Sequence, residues 1–174
     1  MFRHKNDNAG AASANVYQMR QQLFAIGDDF WIENGAGQRV FKVDGKALRL
    51  RKTLILEDAS GAERYKIQEK MLHIRDTMEI EGAAGRVATV KKALISPLRE
   101  RYDVNFDAGG EWKVQGNIVD HQYKIENDAG EIAEVGKKWF RVRDTYGIQI
   151  VPGHDDALVL AVAIVVDAMS HPHK

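Results

Sequence analysis

The sequence predicts a mainly β fold: a closed antiparallel barrel of about twelve strands, made of serial hairpins around a central hydrophobic C-terminal α-helix. Two observations carry this expectation. One short phrase recurs five times, anchored on Gly37, Gly61, Gly85, Gly109 and Gly130. A run from Ala157 to Val166 is apolar on every side, and a helix without a polar face must be buried all round.

Each phrase reads as a strand, a turn and a returning strand. Seven and five residues before the glycine stand large apolar residues: Phe30/Ile32, Leu54/Leu56, Met78/Ile80, Tyr102/Val104 and Tyr123/Ile125. A polar residue follows the second of each pair: Glu33, Glu57, Glu81, Asn105 and Glu126. Apolar residues two apart define one buried strand face. The glycine lies in a turn-rich cluster such as Asn34-Gly35-Ala36-Gly37 or Asp58-Ala59-Ser60-Gly61, which supplies the positive φ of a hairpin loop. The returning strands carry Phe41/Val43, Tyr65/Ile67, Ala88/Val90, Trp112/Val114 and Ala133/Val135.

The remaining elements follow in chain order. Residues 1–20, polar and rich in small side chains, read as a disordered leader without the apolar core of a secretory signal. Residues 21–170 form a single barrel domain and 171–174 a tail. Gln22 to Ile26 reads as a short strand, and Ala47–Arg51 and Leu72–Arg75 as links between hairpins. Around Pro97, a longer connection from Ser96 to Arg101 separates three hairpins from two and predicts a crossing between sheet halves. Lys138–Arg143 and Tyr146–Val151 read as strand, turn, strand. Asp155-Asp156 then supply N-cap and first-turn carboxylates for the terminal helix. Spanning a bilayer takes about 20 apolar residues, more than this run provides. The expected place for the helix is therefore the barrel axis.

Composition narrows the function. Lys plus Arg and Asp plus Glu both total 25, for a formal net charge of zero, which argues against a general nucleic-acid binder. Cysteine is absent, so disulfides, thiolate metal sites and cysteine nucleophiles are excluded; a cytoplasmic setting, peripheral to a membrane at most, is the expectation.

The hairpin series Phe30-Trp31-Ile32-Glu33…Gly37…Val40-Phe41-Lys42-Val43 and Leu54-Ile55-Leu56-Glu57…Gly61…Tyr65-Lys66-Ile67, with Tyr123-Lys124-Ile125-Glu126 and the apolar run Asp156 to Asp167, resembles the LURP-one-related family. That family shares its fold with the Tubby C-terminal domain and the phospholipid scramblases. The resemblance, over about residues 20 to 170, implies a barrel around a hydrophobic helix. Its Tubby-like side implies a non-enzymatic binding or scaffold role toward anionic phospholipid or phosphoinositide headgroups, through basic residues on the barrel exterior. From the scramblases the chain departs: it has no Pro-rich leader and no cysteine cluster.

Catalytic chemistry has no anchor in the residues. No phosphate-cradling glycine motif, zincin helix or nucleophile elbow is present. His171 and His173 fall in the tail and His4 in the leader, while Asp120-His121 and His154-Asp155 read as solvated loop pairs rather than a hydrolase site. The expectation is no enzyme, no cofactor and no metal. Basic clusters remain: Arg49, Arg51 and Lys52; Lys91 and Lys92; and Lys137, Lys138, Arg141 and Arg143. Arginine forks and lysines at hairpin ends could hold phosphate headgroups; lysines on ordinary strand edges, which discourage aggregation, are the alternative. Trp31, Trp112 and Trp139 read as core, core-rim or interface residues. The implied partner is an anionic phospholipid or membrane surface, or another protein, with nucleic acid excluded. A small-molecule carrier is a further reading, because barrels often enclose ligands. Oligomeric state is not legible.

Overall fold

The structure, a computed structural model, describes residues 13–20, 29–46, 53–70, 77–93, 100–138 and 145–170. Twelve strands form one closed antiparallel barrel: β1 (Asn15–Arg20), β2 (Phe30–Asn34), β3 (Arg39–Lys46), β4 (Thr53–Asp58), β5 (Glu63–Glu69), β6 (Thr77–Gly82), β7 (Gly85–Lys92), β8 (Glu100–Phe106), β9 (Glu111–Asn117), β10 (Gln122–Asn127), β11 (Gly130–Gly136) and β12 (Thr145–Ile150). One helix, α1 (Asp156–Ser170), follows. Strands pair in chain order, and β1 closes the circle by pairing with both β12 and β2.

The five phrases are the five hairpins. Their apolar pairs face each other across each ladder: Phe30 with Val43, Leu54 with Ile67, Met78 with Val90, Tyr102 with Val114 and Tyr123 with Val135. All ten of these side chains are buried. In four hairpins a β-bulge follows the second apolar residue, at Glu33, Glu57, Glu81 and Glu126. The fourth hairpin carries Asn105 at that place and keeps a regular register. Bulges add right-handed twist, which helps a sheet to close. The turns use one device repeatedly: Asn34 Oδ1 accepts from Ala36 N at 3.0 Å, Asp58 Oδ1 from Ser60 N at 2.9 Å, and Asn127 Oδ1 from Ala129 N at 2.9 Å.

A barrel of about eight strands is filled by its own side chains, so twelve leave room for a helix about 10 Å across. That is where α1 lies. Ala157 and every residue from Val159 to Met169 are buried. Val159, Leu160, Val162, Ile164, Val165 and Val166 together withdraw enough apolar surface to contribute roughly 10 kcal/mol, about a domain's whole net stability. Asp155 caps the helix, its Oδ1 accepting from Ala157 N at 3.0 Å and from Leu158 N at 3.3 Å. Its Oδ2 accepts from the Tyr65 hydroxyl of β5 at 2.7 Å. Asp156 accepts from Asn15 Nδ2 at 2.7 Å and from the Tyr17 hydroxyl, both on β1. The helix thus begins at the rim that carries the hairpin turns and ends at the opposite rim.

Two expectations are corrected. Asn15–Arg20, placed in the leader, forms β1, whose Tyr17 and Met19 are buried and whose backbone closes the barrel. Only two inward positions betray it, too few to register as a strand pattern. The connection near Pro97 produces no crossing: β7 and β8 are direct antiparallel neighbours, from Ala88 opposite Phe106 to Lys92 opposite Tyr102. The strand expected over Gln22–Ile26 and the links at 47–51 and 72–75 lie outside the described residues, as does most of Lys138–Arg143.

Candidate functional site

Of the nine basic residues singled out in the sequence, Arg49, Arg51, Lys52, Arg141 and Arg143 lie outside the described residues. Lys91 and Lys92 end β7, and Lys137 and Lys138 follow β11. Both pairs occupy the rim opposite the hairpin turns, with β8, β9 and β10 between them. Lys92 Nζ bridges to Glu100 at 2.8 Å and Lys138 Nζ to Glu134 at 2.8 Å. Lys91 and Lys137 are exposed and have no carboxylate within bridging distance among the described residues. Elsewhere the outer wall is largely neutralised in place, as by Lys66–Glu81, Lys70–Glu79 and Arg86–Asp107. Lys70 in particular holds the Glu79 carboxyl below its ordinary range by hydrogen bonding. Exposed pairs of this kind contribute little to stability.

Beside Lys137 and Lys138 the wall is indented. A cleft of about 360 Å³ runs over β9, β10 and β11, lined by Gln115, Gly116, Gln122, Tyr123, Lys124, Glu134, Val135, Gly136, Lys137 and Lys138. Outward residues of three adjacent strands converge here because side chains alternate faces along each strand. Gly116 is what brings β9 against β10. A Cβ at this position would stand 2.6 Å from Gln122 O and 2.7 Å from Tyr123 Cα, and φ is 145°. The lining offers three ammonium groups, two amides and one carboxylate. Lys124 bridges to Glu131 at 2.6 Å, and that hydrogen bond raises its pKa, so it stays cationic. Gln115 Nε2 donates to Glu126 at 3.0 Å. With Lys138 bridged to Glu134 and Lys124 to Glu131, Lys137 is the lining ammonium that has no carboxylate within bridging distance among the described residues and can meet an anionic, hydrogen-bond-accepting group.

Directly beside the cleft, the β9–β10 connection bears the least expected feature. His121 is not solvated: it is 4% exposed, and its Nε2 lies 2.7 Å from Oδ1 of Asp167, itself 2% exposed, on the interior helix. Its ring stacks on Tyr146 with centroids 4.3 Å apart, and its φ of 53° is the one positive value among described non-glycine residues. Tyr123 and Tyr146 are also buried here. Burial first, then the Asp167 charge, pushes both phenols well above their ordinary range. The signal that could have revealed this cluster was Asp167 itself, since a carboxylate in an apolar helix needs a buried partner. The pair is buried in the core. His154 packs edge-on to Trp112 at 6.4 Å, while its neighbour Asp155 is occupied by the helix cap. Among the described residues, no three His, Asp or Glu side chains converge as a metal site, and no helix is long and apolar enough to cross a membrane. Trp112 packs on Phe106 at 4.7 Å and Trp31 lies under Arg39 at 5.5 Å, whereas Trp139 is outside the described residues.

Comparison with known proteins agrees with this architecture. Residues 15–167 match the family described as LURP-one-related. An uncharacterized Bacillus subtilis protein, YxjI, is 27% identical over 149 residues, covering 86% of this chain and 90% of that protein. The X-ray structure of an Arabidopsis thaliana protein superposes with a TM-score of 0.67 at 16% identity, covering 92% of this chain and 93% of that one, a likeness of fold.

Proposed function

We propose that this chain, which belongs to the LURP-one-related family, is a non-enzymatic binding module that takes anionic phospholipid headgroups at a membrane surface. The observation that carries the reading is the cleft over β9–β11, where Lys124, Lys137 and Lys138 stand around a floor in which Gly116 lets β9 approach β10 closely. Ammonium groups and amide donors together match phosphate oxygens in charge and in hydrogen-bond sense. A filled lumen favours an exterior site: α1 occupies the space in which a carrier barrel would hold its cargo.

Each lysine near an anionic surface is worth about 1 kcal/mol, and salt screens that attraction. Flotation with anionic vesicles at low salt should therefore carry the protein upward, and added salt should release it. Lys137→Glu with Lys138→Glu should lower binding by about three orders of magnitude, from four units of charge change at that scale. Arg141→Glu with Arg143→Glu tests the neighbouring basic cluster of the sequence in the same way. Absence of flotation at low salt, or binding untouched by both double variants, removes the proposal.

A further inference from the structure

Val119, at the tip of the β9–β10 connection, is 55% exposed and is the one exposed large hydrophobic residue among the described residues. A single exposed apolar side chain needs no explanation in general; the surroundings of this one supply a reason. Its neighbours are pinned. Ile118 is 2% exposed, His121 N donates to Ile118 O at 3.0 Å, and the His121 ring is tied to Asp167 of α1. Val119 therefore has no freedom to fold back on the core and is presented outward on a rigid support. The tip's carboxylate, Asp120, accepts from Asn117 Nδ2 at 2.6 Å while its backbone N–H donates to Asn117 Oδ1 at 3.2 Å, which closes the turn on itself.

Charge completes the arrangement. In the β10–β11 ladder Tyr123 stands opposite Val135, so Lys137 follows β11 at the level of His121, beside the tip. The cleft proposed for headgroups is bounded by Lys137 and Lys138 on one side and by Gln122, next to His121, on the other. We infer that Val119 is a membrane wedge: the barrel docks through the β9–β10 tip on an anionic bilayer, Val119 entering the headgroup–acyl boundary while Lys137 and Lys138 meet the phosphates. An apolar tip beside cations has both components that interfacial binding uses, apolar burial and attraction to anionic lipid. This inference rests on the headgroup reading and adds to it an orientation and an inserted residue.

The absence of cysteine allows a clean test. Val119→Cys and, on the opposite rim, Ala84→Cys in the exposed β6–β7 turn would each carry one environment-sensitive fluorophore on the full chain. With phosphatidylcholine vesicles containing phosphatidylserine, the label at 119 should shift to the blue and be quenched by a lipid-borne quencher, while the label at 84 stays unchanged. Val119→Asp should keep the thermal transition and lower vesicle partitioning roughly three- to tenfold, the scale of withdrawing part of one aliphatic side chain from water. Flotation with a silent label at 119, or with the label at 84 responding instead, overturns the wedge and leaves headgroup binding standing. Failure of the unlabelled protein to float at all overturns the headgroup reading beneath it.

Discussion

The buried pair of His121 and Asp167 offers the sharpest test of how the barrel and its helix hold one another. His121→Ala removes a hydrogen bond to a buried carboxylate, about 1.5–3 kcal/mol where the acceptor is charged. It also removes the ring stacked on Tyr146, worth about 0.5–1.5 kcal/mol beyond area. Together these give a loss of about 2–4.5 kcal/mol. For a chain of this length each kcal/mol lowers the thermal midpoint by about 2–4 °C, so the expected drop is about 4–18 °C. Asp167→Ala should cost a similar amount, because it leaves the imidazole without its carboxylate. The double variant should fall well short of the sum, with a coupling of about 1.5–3 kcal/mol. Urea denaturation followed by circular dichroism, run on all four proteins, closes the cycle. A coupling below about 0.5 kcal/mol would show that the two side chains act independently and that the loop is not tied to the helix through them.

Three further outcomes follow from the geometry. Gly116→Ala should destabilise by more than about 2 kcal/mol in chemical denaturation, since its Cβ would strike the backbone of β10 at 2.6 Å; Gly61→Ala, with φ at 84° and nothing within 4 Å, should cost only about 1–2 kcal/mol. Asp155→Ala loses the cap and the acceptor for Tyr65, about 2–3 kcal/mol in all, whereas Asp155→Asn, which keeps a capping oxygen, should lose clearly less in the same melts. The Tyr65 phenol is pushed up to about 12 by burial and then by its hydrogen bond to Asp155. A folded pKa raised above the ordinary 10.0 means that the stabilisation is complete below pH 10 and is lost as pH climbs through 12. The phenol is only part-buried, so solvent screening limits this contribution to about 1 kcal/mol. The stability advantage of the wild type over Tyr65→Phe should accordingly shrink between pH 10 and 12 in alkaline denaturation, and an advantage that stays constant would refute the linkage.

What the sequence made legible is what short-range periodicity can encode. The spacing of Phe30/Ile32, Leu54/Leu56 and their counterparts names the inward face of each first strand, and the returning pairs then fall opposite them. Asp155-Asp156 ahead of an all-apolar run implies a capped, buried helix. The features that stayed hidden depend on partners far along the chain. β1 exists because residues 145–150 and 33–34 pair with it, and its own six residues hold little β signal. His121 reads as a loop histidine until Asp167, 46 positions away, is beside it. The cleft is likewise invisible in sequence, because Gln115 of β9, Lys124 of β10 and Lys137 just after β11 meet only through register.

An apolar helix inside an apolar barrel raises a problem of registration. Uniform hydrophobic contact holds α1 in the lumen strongly but hardly distinguishes one depth or rotation from the next, because the attraction is non-directional. Polar groups at the two ends supply what is missing. At the turn rim Asp155 engages Tyr65 while Asp156 engages Asn15 and Tyr17; at the far rim Asp167 engages His121. A rotation of α1 by one residue, about 100°, would separate all of these contacts at once. Hydrogen bonds contribute little net energy when made and cost more when a buried group is left without them. Their role here is therefore selection among near-equal apolar packings. The far pin has a second consequence: it joins the helix end to the β9–β10 connection, the piece of rim that holds Val119 outward beside the lysine-lined cleft. The core's means of fixing the helix and the surface's means of presenting the tip are one pair of side chains.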